Sequence, residues 1–130
     1  MRWDQMTCST MTMTDPRRGE VWWVDFDPSV GSEQRKVRPA VVVGVDGLGI
    51  LPLRIVVPIT TRRSPSTTHP WWVDLEPSPE NGLSNPSVAD ALQVKSLSLE
   101  RFDRRIGAVA ANELDEIASA VALCIGFPGH

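Results

Sequence analysis

The apolar residues of this chain come in short runs closed by Gly, Pro, Ser, Thr or Asp, and no other feature constrains the fold as tightly. Gly19 to Asp27 alternates, with Val21, Trp23, Asp25 and Asp27 on one face of an expected strand and Trp22, Val24 and Phe26 on the other. Pro39 to Val45 is a β-branched run that reads as a strand buried on both faces. Further strands are expected at Leu53 to Thr60, Trp71 to Leu75, Val88 to Val94 and Arg105 to Ala108, with a short turn or helix near Leu97 to Phe102. Short strands with frequent turns predict a small antiparallel barrel. From Asn112 to Gly126 the period becomes helical. Leu114, Ile117, Ala118, Val121 and Ile125 share one face, Gly126 is the stop and Pro128 lies beyond it. This helix is expected to pack on the barrel.

The 130 residues are enough for one domain with a real core and too few for two. Met1 to Asp15 is rich in Met, Thr and Ser without a hydrophobic period. Residues 1–15 are therefore expected to be a disordered extension and residues 16–130 a single domain. The apolar runs fall far short of the roughly 20 residues a bilayer requires, and no basic-then-apolar leader opens the chain. Cys8 and Cys124 sit near opposite ends, with only His69 and His130 to join them. That pattern argues against a disulfide framework and a metal site, and is consistent with a reducing cytoplasm.

A net charge of −3 speaks against a nucleic-acid partner until it is divided along the chain. Residues 1–16 hold one cation and two acids, residues 17–105 hold twelve cations and eleven acids, and residues 106–130 hold three acids alone. The middle cations are clumped: Arg17 and Arg18; Arg35, Lys36 and Arg38; Arg62 and Arg63; Arg101, Arg104 and Arg105. Local positive patches on a near-neutral body follow.

The common catalytic motifs are absent: there is no Gly-x-Ser-x-Gly elbow, phosphate-cradling Gly-rich loop, His-Glu-x-x-His pair or dinucleotide fingerprint. Of the histidines, His130 is terminal and His69 lies in a Ser/Thr/Pro loop, which argues against a ribonuclease built on two histidines.

The segment from Arg18 to Val43, RGEVWWVDFDPSVGSEQRKVRPAVVV, closely resembles the opening of the MazF/PemK (Kid) family of toxin endoribonucleases. The likeness continues through Val56 to Thr61 and Gln93 to Ser96 to the terminal helix. It implies a mainly β fold with α, a Src-homology-3-like barrel of the kind shared with the gyrase poison CcdB. It also implies a homodimer and inhibition by a MazE-like antitoxin. By position, Arg38 and Thr60 match the family's catalytic arginine and threonine. Glu33 and Gln34 match loop residues beside the scissile phosphate, and Trp23, Asp25 and Gln93 match positions lining the RNA groove. Lys36, with Arg35, adds charge where relatives often have small residues. Leu92 replaces an acid that many relatives carry before the Gln. The implied reaction uses no cofactor or metal, and the alternative on the same fold is a non-enzymatic gyrase poison.

These residues suit the chemistry on their own terms. RNA can be cleaved by its own 2′-hydroxyl attacking the adjacent phosphorus. The protein must then orient the sugar, stabilise a dianionic pentacoordinate phosphorus and manage two protons. Arg38 offers a planar fork of donors to two phosphate oxygens. Its high pKa suits it to charge stabilisation rather than proton donation. Thr60 can hydrogen-bond the phosphate or the 2′-hydroxyl, and Glu33 can accept the proton. Trp23, sharing a face with two acids, suits a groove where an unpaired base stacks on an indole.

Overall fold

The computed structural model describes residues 14–26, 37–46, 51–63 and 69–128. Their elements are strands β1 (Glu20–Asp25), β2 (Val37–Val42), β3 (Leu53–Thr61), β4 (Trp72–Leu75), β5 (Ser87–Asp90), β6 (Lys95–Ser98) and β7 (Phe102–Ala108), then helix α1 (Ala111–Cys124). Among the described residues the seven strands form one antiparallel sheet in the order β4-β5-β3-β2-β1-β7, with β6 also paired to β3. This is the antiparallel, helix-bearing architecture expected, with one difference. The strand ladder does not close on itself. Instead, the β4–β5 connection crosses to β7, where the Ala108 amide donates to the Glu80 carbonyl at 2.8 Å. Gly107 is what permits that approach, because a Cβ there would fall against the Glu80 carbonyl oxygen.

The sheet buries both of its faces, as β2 shows with Ala40, Val41 and Val42 each fully buried. On one face Val21, Val41, Val57 and Ile59 pack with Leu75, Ala89 and the helix residues Ile117 and Ala120. On the other, Trp22, Val24, Ala40, Val42, Val56 and Phe102 form a second cluster. There Trp22 stands edge-on to Phe102 at 5.9 Å, and its Nε1 donates to Glu20 Oε1 at 2.9 Å. Burying apolar side chains of this size is worth roughly 1.5–3 kcal/mol each, so the alternation in β1 is fixed from both sides.

Three element boundaries differ from the sequence expectation. The run from Val88 to Val94 is not one strand: it breaks after Asp90 into a 3₁₀ turn, Ala91–Gln93. The cause is local. The Asp90 carboxylate accepts from the Leu92 amide at 3.2 Å, offering the backbone an alternative to the ladder. The segment near Leu97 is likewise strand β6 followed by a 3₁₀ turn, Leu99–Arg101, capped by Ser98, and β7 begins three residues earlier than expected. The helix ends before Ile125, which sits past the last regular turn and is 70% exposed, so the expected apolar face loses that member. Ile117, Ala120, Val121 and Cys124 carry the packing instead. Ala110 gives the helix no side-chain cap, although Glu113 Oε1 accepts from the Ala110 amide at 2.9 Å.

Residues 1–13 of the expected extension lie outside the described residues. Just after them, Asp15 pairs with Arg54 at 3.2 Å and the Pro16 carbonyl accepts from Arg54 Nε at 2.9 Å, fastening the entry to β1.

Candidate active site

β2 and β3 pair at Val42–Val56, Val41–Val57 and Ala40–Pro58, and their ladder stops there. Pro39 and Pro58 have no N–H to donate, so this end of the ladder is poor in hydrogen bonds. Beyond it β3 pairs with β5 through Ile59–Ala89, Thr60–Val88 and Thr61–Ser87. A mouth therefore opens between β2 and β3. Arg38 and Thr60 each lie two residues past the Ala40–Pro58 pair, and side chains two apart in a strand share a face. Half-buried Arg38 and exposed Thr60 thus stand on the same side of the sheet, at the two lips of the mouth.

A cleft of about 210 Å³ occupies this region, lined by Phe26, Arg38, Pro58, Gln93 and Lys95. It joins four segments of chain that are distant in sequence. Gln93 reaches it from the 3₁₀ turn between β5 and β6, and its Nε2 donates to Asp90 Oδ2 at 2.8 Å. Lys95 opens β6, paired with Val56 across β3 from β2, and its ammonium lies 5.7 Å from the Phe26 ring centroid. Phe26, Pro58 and Lys95 were not singled out from the sequence. Lys95 was within reach of pattern reasoning, since it follows Gln93 by two residues.

The charge balance favours an anion here. Several other described cations are neutralised: Arg17 and Arg54 by Asp15, Arg105 by Glu20, and Arg62 by Glu76 at 2.9 Å and Asp74 at 3.5 Å. The Arg62 guanidinium is held even further above its ordinary range, chiefly by its Glu76 hydrogen bond. Among the described residues Arg38 and Lys95 form no ion pair. Two unneutralised cations and an amide in one cleft can hold a phosphate and a base edge together.

Trp23 and Asp25 lie elsewhere. β1 pairs regularly with β2, Val24 opposite Arg38 and Trp23 opposite Pro39, so Trp23 and Asp25 point to the sheet face away from Arg38. Asp25 lines a separate recess of about 410 Å³ with Val37, Glu100, Arg101, Phe102 and Asp103. Three carboxylates against one guanidinium make that recess unwelcoming to a phosphate. Trp23 is half-buried and pairs across strands with exposed Arg104, an indole beside a cation. Glu33, Gln34 and Lys36 lie outside the described residues.

Cys124 is a free thiol packed against the core under the helix. Burial, and after it the charge of Asp90, push it above the ordinary thiol range, which makes it a poor nucleophile. Among the described residues no group of three His, Cys, Asp or Glu side chains stands close enough to hold a metal ion, and no helix is long and apolar enough to cross a membrane.

Residues 17–125 match the family described as PemK-like, MazF-like toxin of type II toxin-antitoxin system. The chain is 39% identical over 113 residues to the endoribonuclease MazF9 of Mycobacterium tuberculosis, covering 82% of this chain and 93% of that one. It is 37% identical over 116 residues to the endoribonuclease toxin MazF of Escherichia coli K12, covering 85% and 95%. Its fold is similar to the crystal structure of MazE-MazF (Form-II) from Deinococcus radiodurans, with a TM-score of 0.71 and 26% identity over 88% of this chain and 98% of that one. The relatives named are endoribonucleases, which favours the RNA-cleaving reading over the gyrase poison. The chain belongs to the PemK-like, MazF-like toxins of type II toxin-antitoxin systems.

Proposed function

We propose that this protein is a metal-independent endoribonuclease toxin of the cytoplasm, cleaving single-stranded RNA at a short sequence motif and restrained by a MazE-like antitoxin. The observation that carries the reading is the cleft at the β2–β3 mouth, where Arg38 and Lys95, without an ion pair among the described residues, stand beside Gln93, with Thr60 on the same sheet face.

The chemistry follows from the side chains. The 2′-oxygen forms a bond to phosphorus as the bond from phosphorus to the 5′-oxygen breaks. A proton leaves the 2′-hydroxyl, and another reaches the departing oxygen. Arg38 places its forked donors on the non-bridging oxygens as their charge grows. Thr60 orients the ribose or the phosphate from the opposite lip, and Glu33 accepts the proton from the 2′-hydroxyl. Gln34 and Lys36, neighbours of Glu33 in the sequence, add contacts to the RNA around the cut. Because the nucleophile belongs to the RNA, the products carry a 2′,3′-cyclic phosphate and a 5′-hydroxyl.

Trp23, on the other face beside Arg104, offers an indole on which a base of RNA continuing around the sheet stacks. Support for the antitoxin comes from relatives solved as MazE-MazF complexes. A homodimer is part of the same reading.

One substitution in the substrate tests it. A 2′-deoxy residue on the 5′ side of the cut is expected to abolish cleavage at that site and leave other sites unaffected. Cutting that survives the substitution overturns the internal-nucleophile mechanism.

A further inference from the structure

The residue directly before the cleft glutamine is the apolar Leu92. Leu92 is 58% exposed and contributes nothing to the cleft lining. An acid nevertheless holds the glutamine. Asp90, three residues upstream, accepts from Gln93 Nε2 at 2.8 Å with one carboxylate oxygen and from the Leu92 amide at 3.2 Å with the other. It is also the N-cap of the 3₁₀ turn that lifts Gln93 out of the ladder and into the cleft, and it is anchored opposite Trp72 in β4.

This contact sets the orientation of the amide. A carboxylate only accepts hydrogen bonds, and a glutamine amide can meet it only through nitrogen. With Nε2 fixed on Asp90, the oxygen Oε1 and the second N–H remain for a ligand. An amide free to rotate about its last bond exchanges these two groups and can read either of two opposite patterns. Adenine and cytosine present an amino donor beside a ring-nitrogen acceptor, whereas guanine and uracil present a keto acceptor beside an N–H donor. Asp90 removes that freedom.

Resting on the reading of this cleft as the RNA site, we propose that Asp90 is a positioning residue for base selection. It fixes the order of Gln93 Oε1 and the remaining N–H, so that one position of the cleavage motif takes one of the two base classes, adenine and cytosine or guanine and uracil, over the other.

The test compares wild type with Asp90→Asn, which keeps the shape and can donate as well as accept, and with Asp90→Ser, which keeps a cap for Leu92 but is too short to hold Gln93. Sequence preference is read twice. Ends are mapped on a long natural RNA after cleavage, and a random pool of 2′-O-methyl RNA, which cannot be cut, is sequenced after retention on the protein. In wild type one position is expected to favour one of these two classes over the other by about ten- to a hundredfold. Both variants are expected to reduce that preference to within about threefold, leaving the other positions and the melting temperature nearly unchanged. A preference that survives in both variants overturns the proposal. So does a loss spread evenly over all positions, or a wild-type pool with no such position. If wild type retains the pool selectively yet cuts no RNA, the nuclease reading fails and the pool alone decides the role of Asp90.

Discussion

Arg38 carries more of the proposed chemistry than any other residue, because it is the half-buried cation at the lip of the mouth and forms no ion pair among the described residues. Removing one well-placed transition-state donor typically costs about 100- to 1000-fold in rate. Arg38→Ala is therefore expected to lower the cleavage rate by that factor with an unchanged melting temperature, measured on an oligonucleotide carrying the motif. Arg38→Lys keeps the charge and loses the fork, so a rate well below wild type identifies bidentate contact with the phosphate. Arg38 and Gln93 were legible in the sequence through the family resemblance of the segments around them. Asp90 was not, because its role depends on a turn that a strand-like run conceals. Trp23 and Asp25 show the reverse case. Their shared face was legible from alternation, but which face of the sheet holds the cleft depends on strand partners, and the period of two alone does not supply it.

At the scale of elements, the strands were legible where one side chain pattern dominates and obscured where a polar side chain competes with the ladder. β1, β2 and β3 lie close to their expected places because Val and Trp alternate or run together there. Asp90 breaks the expected Val88-to-Val94 strand, and the displaced Ile125 shows that helical periodicity read past a helix end assigns core residues wrongly. The open side of the sheet was not legible at all, since it depends on the β4–β5 connection meeting β7. That junction makes its own prediction. Asn81 is fully satisfied there, donating to the Glu76 carbonyl at 2.8 Å and accepting from the Ser78 and Leu83 amides, so the backbone facing Gly107 has little room to yield. Gly107→Ala is expected to destabilise the fold by about 1–3 kcal/mol, as overpacking does, read as a lower denaturant midpoint. An unchanged midpoint would show that the connection moves freely.

For the whole molecule, several large apolar side chains stand exposed. Val45, Leu51, Leu53 and Ile55 are exposed around the β2–β3 end, and Ile125 and Phe127 at the close of the helix. A second copy is the expected cover, in keeping with the two-fold assembly common among small proteins. Light scattering at micromolar concentration is expected to give twice the 14.3 kDa chain mass, and a monomer would contradict the dimer. The central claim concerns the reaction itself, and it is tested most directly by incubating the purified protein with a long RNA in excess EDTA and determining the chemistry of the new ends. The account predicts cleavage at one short recurring motif, with 2′,3′-cyclic phosphate and 5′-hydroxyl termini. Loss of cleavage in EDTA, or termini bearing a 5′-phosphate, would contradict it.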